Sequence, residues 1–286
     1  MNLINRGFRY AKKKLLPGHA PDFLIVGAQK SGTTSLHFYL AQHPNLLGSR
    51  PKEVGYFHKD ENFQKGKRWY HHFFKNIHGK KNYLCFESTP ENLYLEKAAR
   101  RIKDEYPAIK IIIILRNPIE RAYSAWNMYR EFIEKNIKQK QINNFIKKSD
   151  TEIIQELFNE KEFPSFETLI EKELEGIKNR IEFSEPSILR RGLYYEQVKR
   201  YIELFGKENV IVLGFKDFVQ NKVSVLNRVL SFLHLPESDW MFLNGEKRHS
   251  FAYNTSLDTK MEAFLKEYYR LENEKLFSLI GYELNW

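Results

Sequence analysis

Cysteine is almost missing from this chain: Cys85 is the single one in 286 residues. That excludes an intrachain disulfide and a thiolate-rich zinc site, and Cys85, inside the apolar stretch YLCFE, reads as a small buried residue. No stretch reaches the roughly 20 apolar residues that a membrane-spanning helix needs. Residues 1–20 lack the apolar core and small-residue cleavage site of a secretory leader, so a cytoplasmic protein is the expectation. No internal repeat or low-complexity segment is evident. Acidic residues are in the minority, 36 against 46 lysines and arginines, for a formal charge of +10. Such an excess favours an anionic partner: a nucleotide, an acidic glycan, nucleic acid or an anionic membrane surface. No recognised nucleic-acid-binding motif is present, which disfavours that reading.

A metal set is also lacking. In the run Trp69, Tyr70, His71, His72, Phe73, Phe74 the adjacent histidines share neither a helix face nor a strand face, and no cysteine or carboxylate stands at ligand spacing. The run reads as a core-packing aromatic helix, and no metal is expected.

What the chain has is enough apolar and aromatic residues, with 22 Phe and 16 Tyr, to build a sizeable core. One α/β domain over residues 21–286, with a Lys-, Glu- and Ile-rich helical insertion at about 127–190, is the expected organisation. It is preceded by a basic segment at 1–20. Within residues 1–16, Leu3, Ile4, Phe8, Ala11 and Leu15 fall near one helical face, with Arg6, Arg9 and Lys12 to Lys14 around them. Such a segment can lie on an anionic membrane surface or pack on its own domain.

The chain is organised around residues 22–36, DFLIVGAQKSGTTSL. Leu24, Ile25 and Val26 form a short apolar run suited to a strand buried on both faces, Gly27 ends it, and small residues then lead into a helix. At a helix N-terminus, backbone N–H groups and the positive end of the dipole bind oxyanions. The spacing follows the phosphate-loop pattern G-x-x-x-x-G-K-[ST], except that Thr33 stands where the lysine belongs and Lys30 lies inside the loop. Loss of that lysine argues against a Mg-dependent kinase or triphosphatase. Residues 110–118, KIIIILRNP, give the clearest buried parallel strand. Asn117 and Pro118 there suit the cap and first turn of the next helix. Arg116 ends that strand, where open α/β sheets bind ligands, and offers a bidentate clamp for phosphate. A magnesium enzyme would more often place aspartate there. Further strands are expected at 83–87 and 209–214. Helices are expected from 35 to 42, from Ser88-Thr89-Pro90 to Tyr106, from 193 to a stop at Gly206, at 219–235 and at 257–280.

GAQKSGTTSL resembles the 5′-phosphosulfate-binding loop of sulfotransferases, which use 3′-phosphoadenosine 5′-phosphosulfate (PAPS). The resemblance implies a P-loop-like three-layer fold, with a central, mainly parallel sheet flanked by helices. It also implies that Lys30, Ser31, Gly32, Thr33, Thr34 and Ser35 surround the 5′-phosphosulfate. ILRNPIERAYSAW is similar to the family's 3′-phosphate motif, an arginine and a serine eight residues apart, which implies that Arg116 and Ser124 hold that phosphate. KEVGYF is similar to the K-E-x-x-[FY]-F segment of the heparan sulfate enzymes and many bacterial relatives. By that likeness Glu53 is the catalytic base and Lys52 its electrostatic support; on spacing alone the two would read as a surface ion pair. Those enzymes often have a histidine where this chain has Gly55, and a lysine where it has Ser88 in ESTPENLY, a segment that lines their substrate cleft. Acceptor identity is therefore not inherited. RGLYYEQVKRYIELFGKENVIVLGFKDF resembles the helix–strand unit in which a residue near Arg191 or Tyr194 approaches the donor. In similar enzymes a basic loop near the carboxyl end folds over the nucleotide, which implies contacts from Lys247 and Arg248; a solvated surface loop is the other reading. A carbohydrate acceptor suits the glutamate base and the basic, aromatic-rich chain. A lipid or polyketide alcohol stays open.

Overall fold

The computed structural model describes residues 18–75, 83–134, 163–179, 187–240 and 257–286. The basic segment expected at 1–16, the middle of the insertion, and Lys247 and Arg248 lie outside the described residues. The chain divides into two compact units: the described parts of Met1–Leu115 and Gln197–Arg248 make one, and those of Arg116–Glu196 and His249–Leu284 the other.

In chain order, the elements are β1 (Phe23–Gly27), α1 (Thr33–Leu40), β2 (Leu46–Gly48), α2 (Asp60–Phe63), α3 (Gly66–His71), β3 (Leu84–Ser88), α4 (Glu91–Tyr94), α5 (Glu96–Glu105) and β4 (Lys110–Leu115). There follow α6 (Pro118–Glu134), α7 (Phe166–Lys178), α8 (Tyr194–Phe205), β5 (Val210–Gly214), α9 (Phe215–Gln220), α10 (Lys222–Phe232) and α11 (Thr259–Ile280).

The first unit is built on a five-stranded sheet of order β2-β3-β1-β4-β5 with every pairing parallel. Its central strands are covered on both faces, which is why their sequences are continuous apolar runs rather than alternating ones. Leu24, Ile25 and Val26 of β1 and Ile111 to Ile114 of β4 are all fully buried. One core cluster gathers Phe23, Ile25, Ile112 and Ile114 with Leu36 and Leu40 of α1 and Leu226 and Val229 of α10. Each such side chain contributes roughly 1.5–3 kcal/mol relative to exposure. The aromatic run behaves as expected: α3 buries Tyr70, whose ring stacks on Tyr56 with centroids 4.4 Å apart, in a cluster with Phe57 and Phe74.

Three boundaries depart from expectation. β2 has no counterpart among the expected strands, because three residues of which the last is glycine carry almost no periodic signal. The single helix expected up to Tyr106 is two, α4 and α5, with Leu95 in extended backbone between them. The helix expected at 219–235 is broken at Asn221, whose φ of −126° ends α9 before α10 begins.

The second unit packs α6, α7 and α11. Its cluster includes Ala122, Ala125, Trp126, Phe166, Ile170, Leu265 and Tyr269. Asn117 caps α6 as expected, its Oδ1 accepting from Ile119 N at 2.9 Å and Glu120 N at 3.3 Å. Ser165 caps α7 by accepting from Thr168 N at 3.1 Å. Gly206, with φ 81°, follows the last residue of α8, where a stop was expected. Among the described residues, no helix is long and apolar enough to cross a membrane.

Candidate active site

The strand order determines which loops can meet. With β3 between β2 and β1, the loops leaving the carboxyl ends of these three strands lie side by side, the usual location of ligands in open parallel sheets. The loop after β1 is the phosphate loop. Its backbone is tied back to the sheet by Ala28 N donating to Ile114 O at 2.8 Å, and it turns on Ser31 N donating to Ala28 O at 3.2 Å. Lys30 has φ 64° and Gly32 has φ 90°, so two left-handed residues stand within three positions. Glycine is required at 32 twice over, because a Cβ there would also lie 2.7 Å from the Phe215 ring.

α1 starts at Thr33 with no side-chain cap and no acidic residue in its first turn. Its first N–H groups have no intrahelical acceptors, and the dipole there favours an anion. Ser31 is completely buried, and its hydroxyl has no hydrogen-bond partner among the described residues. A buried hydroxyl left so is costly unless something outside the chain completes it. Thr33 is buried, Lys30 and Ser35 half-buried, and Thr34 exposed.

The loop after β2 carries Lys52 and Glu53. Ser49 N donates to Phe86 O at 2.8 Å, so this loop leaves across the end of β3. Lys52 Nζ donates to Glu53 Oε1, with the lysine 19% and the glutamate 52% exposed. Glu53 has φ 62° and Gly55 φ 70°, a second left-handed pair. Beneath it lies Glu87 at the end of β3, 1% exposed. Its Oε1 accepts from Val54 N at 3.2 Å and from the Thr89 hydroxyl. Burial raises the Glu87 carboxyl to about 7, against the Thr89 and Val54 hydrogen bonds and the charge of Lys52, with Glu53 adding to the rise. His37 of α1 packs against Phe86 with ring centroids 4.8 Å apart. Burial, helped by the Lys52 charge, lowers its imidazole to about 4. Lys52 thus acts on Glu53, Glu87 and His37 together.

Arg116, Ser124, Arg191 and Tyr194 belong to the second unit. Arg116 follows directly on the last residue of β4, and its Nε donates to Glu120 Oε2 at 2.9 Å. This i,i+4 pair with an exposed glutamate is weak and holds the guanidinium loosely. The Tyr194 hydroxyl donates to Arg116 O at 2.9 Å, fixing the backbone that bears the arginine. Ser124 is buried in α6, and Arg191 is buried in the short turn Arg190–Gly192. That turn is ordered by Glu173 of α7, whose carboxylate accepts from Ser187 Oγ and from the N–H groups of Ile188, Leu189 and Arg190, all at 2.7–2.8 Å. Arg121, fully buried, donates through Nη2 to Ile188 O.

Neither Glu173 nor Asn62, which donates to Val54 O at 3.3 Å and Gly55 O at 3.1 Å, stood out in the sequence. Glu87 did carry a signal, a charged residue inside the apolar strand YLCFES, because a carboxylate is rarely buried without a partner.

The profile of the sulfotransferase domain matches residues 20–278. The chain is 24% identical over 318 residues to the membrane-associated sulfotransferase kil1 of Dictyostelium discoideum, a match that takes in 93% of this chain and 66% of kil1. It is 25% identical to the mouse bifunctional heparan sulfate N-deacetylase/N-sulfotransferase 4, over 92% of this chain and 30% of the mouse protein. This chain therefore spans about two-thirds of the one relative and under a third of the other. Among solved structures, a sulfotransferase from Alicyclobacillus acidocaldarius superposes with a TM-score of 0.66 at 26% identity, covering 93% of this chain and 98% of that one.

Proposed function

The chain belongs to the sulfotransferase domain family, and from that premise we propose that it transfers the sulfuryl group of PAPS to a hydroxyl or amine of a carbohydrate acceptor, with Glu53 as general base. The observation that carries this reading is the Lys52–Glu53 turn. It holds a half-exposed carboxylate on left-handed backbone at the carboxyl edge of the sheet, after a strand separated by β3 alone from the strand that feeds the phosphate loop.

The phosphate loop fits the donor's anionic end. It combines an acid-free helix start, a glycine that admits no Cβ, and a buried hydroxyl lacking a partner. Bound PAPS supplies an activated sulfuryl group whose leaving group is the 5′-phosphate. Lys30 and the N–H groups opening α1 hold the negative charge there, a preorganised electrostatic stabilisation. We assign Arg116 and Ser124 to the 3′-phosphate, and Arg191, Tyr194, Lys247 and Arg248 to further donor contacts. Glu53 removes the acceptor's proton as the new bond to sulfur forms, and Lys52 orients it. The names of the heparan sulfate relatives support a glycan acceptor. The name of kil1 supports a peripheral contact between residues 1–16 and an anionic membrane. We take residues 21–286 as the catalytic part, with the insertion at 127–190 on the acceptor side.

The test is transfer of label from ³⁵S-PAPS to N-desulfated heparin, with a long-chain alcohol as the competing acceptor. Label should enter the glycan, and Glu53→Gln should lower the rate by about 100-fold or more while the affinity for 3′-phosphoadenosine 5′-phosphate (PAP) stays within about twofold. Label in the alcohol alone would reassign the acceptor class. Near-normal turnover by Glu53→Gln would remove Glu53 as the base.

A further inference from the structure

We propose that Glu87 is a positioning residue for sulfuryl transfer, its buried carboxylate holding the Val54 amide and, through it, the left-handed turn that presents Glu53. The inference rests on the assignment of Glu53 as base and goes beyond it, because Glu87 touches neither donor nor acceptor in that scheme.

The turn is strained and therefore has to be held. Glu53 at φ 62° and Gly55 at φ 70° flank Val54. A non-glycine residue in that region costs on the order of 1–3 kcal/mol and persists only where its surroundings over-determine it. The surroundings here are two clamps. Glu87 Oε1 takes the Val54 N–H at 3.2 Å from the sheet side, and Asn62 Nδ2 donates to the Val54 and Gly55 carbonyls at 3.3 and 3.1 Å from α2. Gly55 leaves little slack, since a Cβ there would lie 3.1 Å from His58 Cε1.

A carboxylate is an expensive choice for this task when an amide oxygen would accept the same bond. What the carboxylate adds is charge facing Lys52. The groups that face Glu87 are Lys52 and Glu53 from the loop after β2, Thr89 beyond its own strand, and Tyr70 from α3. Once Glu87 ionises, near pH 7, the Lys52 ammonium lies in the field of two carboxylates, paired directly with Glu53 and drawn towards Glu87. Glu87 thus positions both members of the Lys52–Glu53 pair, one through the backbone and the other through charge.

The test compares the full chain with Glu87→Gln and Glu87→Asp. It uses amide exchange at Val54 by NMR, calorimetry with PAP, and the pH dependence of ³⁵S transfer to N-desulfated heparin. Glu87→Asp, which draws the acceptor away from the Val54 N–H, should speed Val54 exchange by about tenfold, and both variants should lower kcat by about 10–100-fold at unchanged KM, Glu87→Gln by removing the charge that faces Lys52. Their PAP affinity should stay within about twofold. The wild type should show an inflection in rate near pH 7, where burial brings the Glu87 carboxyl, and Glu87→Gln should lack it. Unchanged Val54 exchange in Glu87→Asp together with kcat within about twofold of wild type in both variants would overturn the proposal. If Glu87→Gln does not fold, Glu87→Asp, one methylene shorter, carries the same comparison. If the wild type transfers no label at all, the functional reading fails on its own, and Val54 exchange still decides whether Glu87 holds the turn.

Discussion

At the scale of single residues, the site is marked by backbone conformation as much as by side chains. Lys30 and Glu53, the cation and carboxylate given the central chemical roles, both sit at positive φ, where most side chains are disfavoured. Glycine would be the relaxed residue at either position, so the retained side chains point to function over stability. Lys30→Gly should therefore behave in two opposite ways. Urea unfolding should show the variant more stable by about 1 kcal/mol, the relief of strain being partly offset by the added freedom of glycine in the unfolded chain. Calorimetry should show PAP binding weakened by about tenfold, the loss of one charge-assisted contact. A less stable variant with unchanged affinity would mean that Lys30 is a structural residue. Ser31 and Gly32 make the same point from the other side: a buried hydroxyl without a partner and a position closed to any Cβ shape the loop for something other than the protein's own packing.

At the scale of elements, β3 and α1 place two titratable groups under the same loop with opposite consequences for stability. Glu87 holds its proton up to about pH 7 when folded, against 4.5 unfolded. Between those values the folded state binds more protons, so stability falls as pH rises, by on the order of 3 kcal/mol across the window. His37 stays neutral down to about pH 4 when folded, against 6.5 unfolded. There the unfolded state binds more protons, so stability falls as pH falls, by a similar amount. The two nearly cancel in the wild type. His37→Gln should leave the Glu87 slope exposed, its stability falling as pH rises from 4.5 to 7. Glu87→Gln should show the reverse slope, its stability falling as pH falls from 6.5 to 4. Urea midpoints across this range check both, and three parallel profiles would contradict the assignment of either group. The elements that bear these residues were legible to different degrees. β1, the glycine turn and α1, and β4 with its Asn117–Pro118 cap, announced themselves because burial on both faces and helix capping leave local patterns. β2 did not, being too short for any period. The contact from Glu87 to Val54 spans 33 residues and exists only because β2 and β3 are neighbours, a property of strand order that no local window contains. Glu173 was hidden for the same reason: its charge sits on a helix that reads as solvated, and only the chain returning at Ser187 to Arg190 buries it.

At the scale of the whole molecule, the formal charge of +10 and the acid-free start of α1 point to an anionic ligand, and family membership identifies its chemical class. The departures from the heparan sulfate pattern, Gly55 and Ser88, both lie in segments expected to face the acceptor rather than the donor. Donor recognition is the part of the proposal that these departures leave untouched, and its central claim is that a 3′-phosphate is read by Arg116. The decisive measurement is calorimetric titration of the wild type and Arg116→Ala with PAP, using 5′-AMP as the ligand that lacks the 3′-phosphate. The account predicts micromolar PAP binding by the wild type, weaker by about 100-fold both for 5′-AMP and in Arg116→Ala, the loss of a bidentate charge-assisted contact. Equal, weak binding of the two nucleotides, unmoved by Arg116→Ala, would contradict it and leave only a generic phosphate loop.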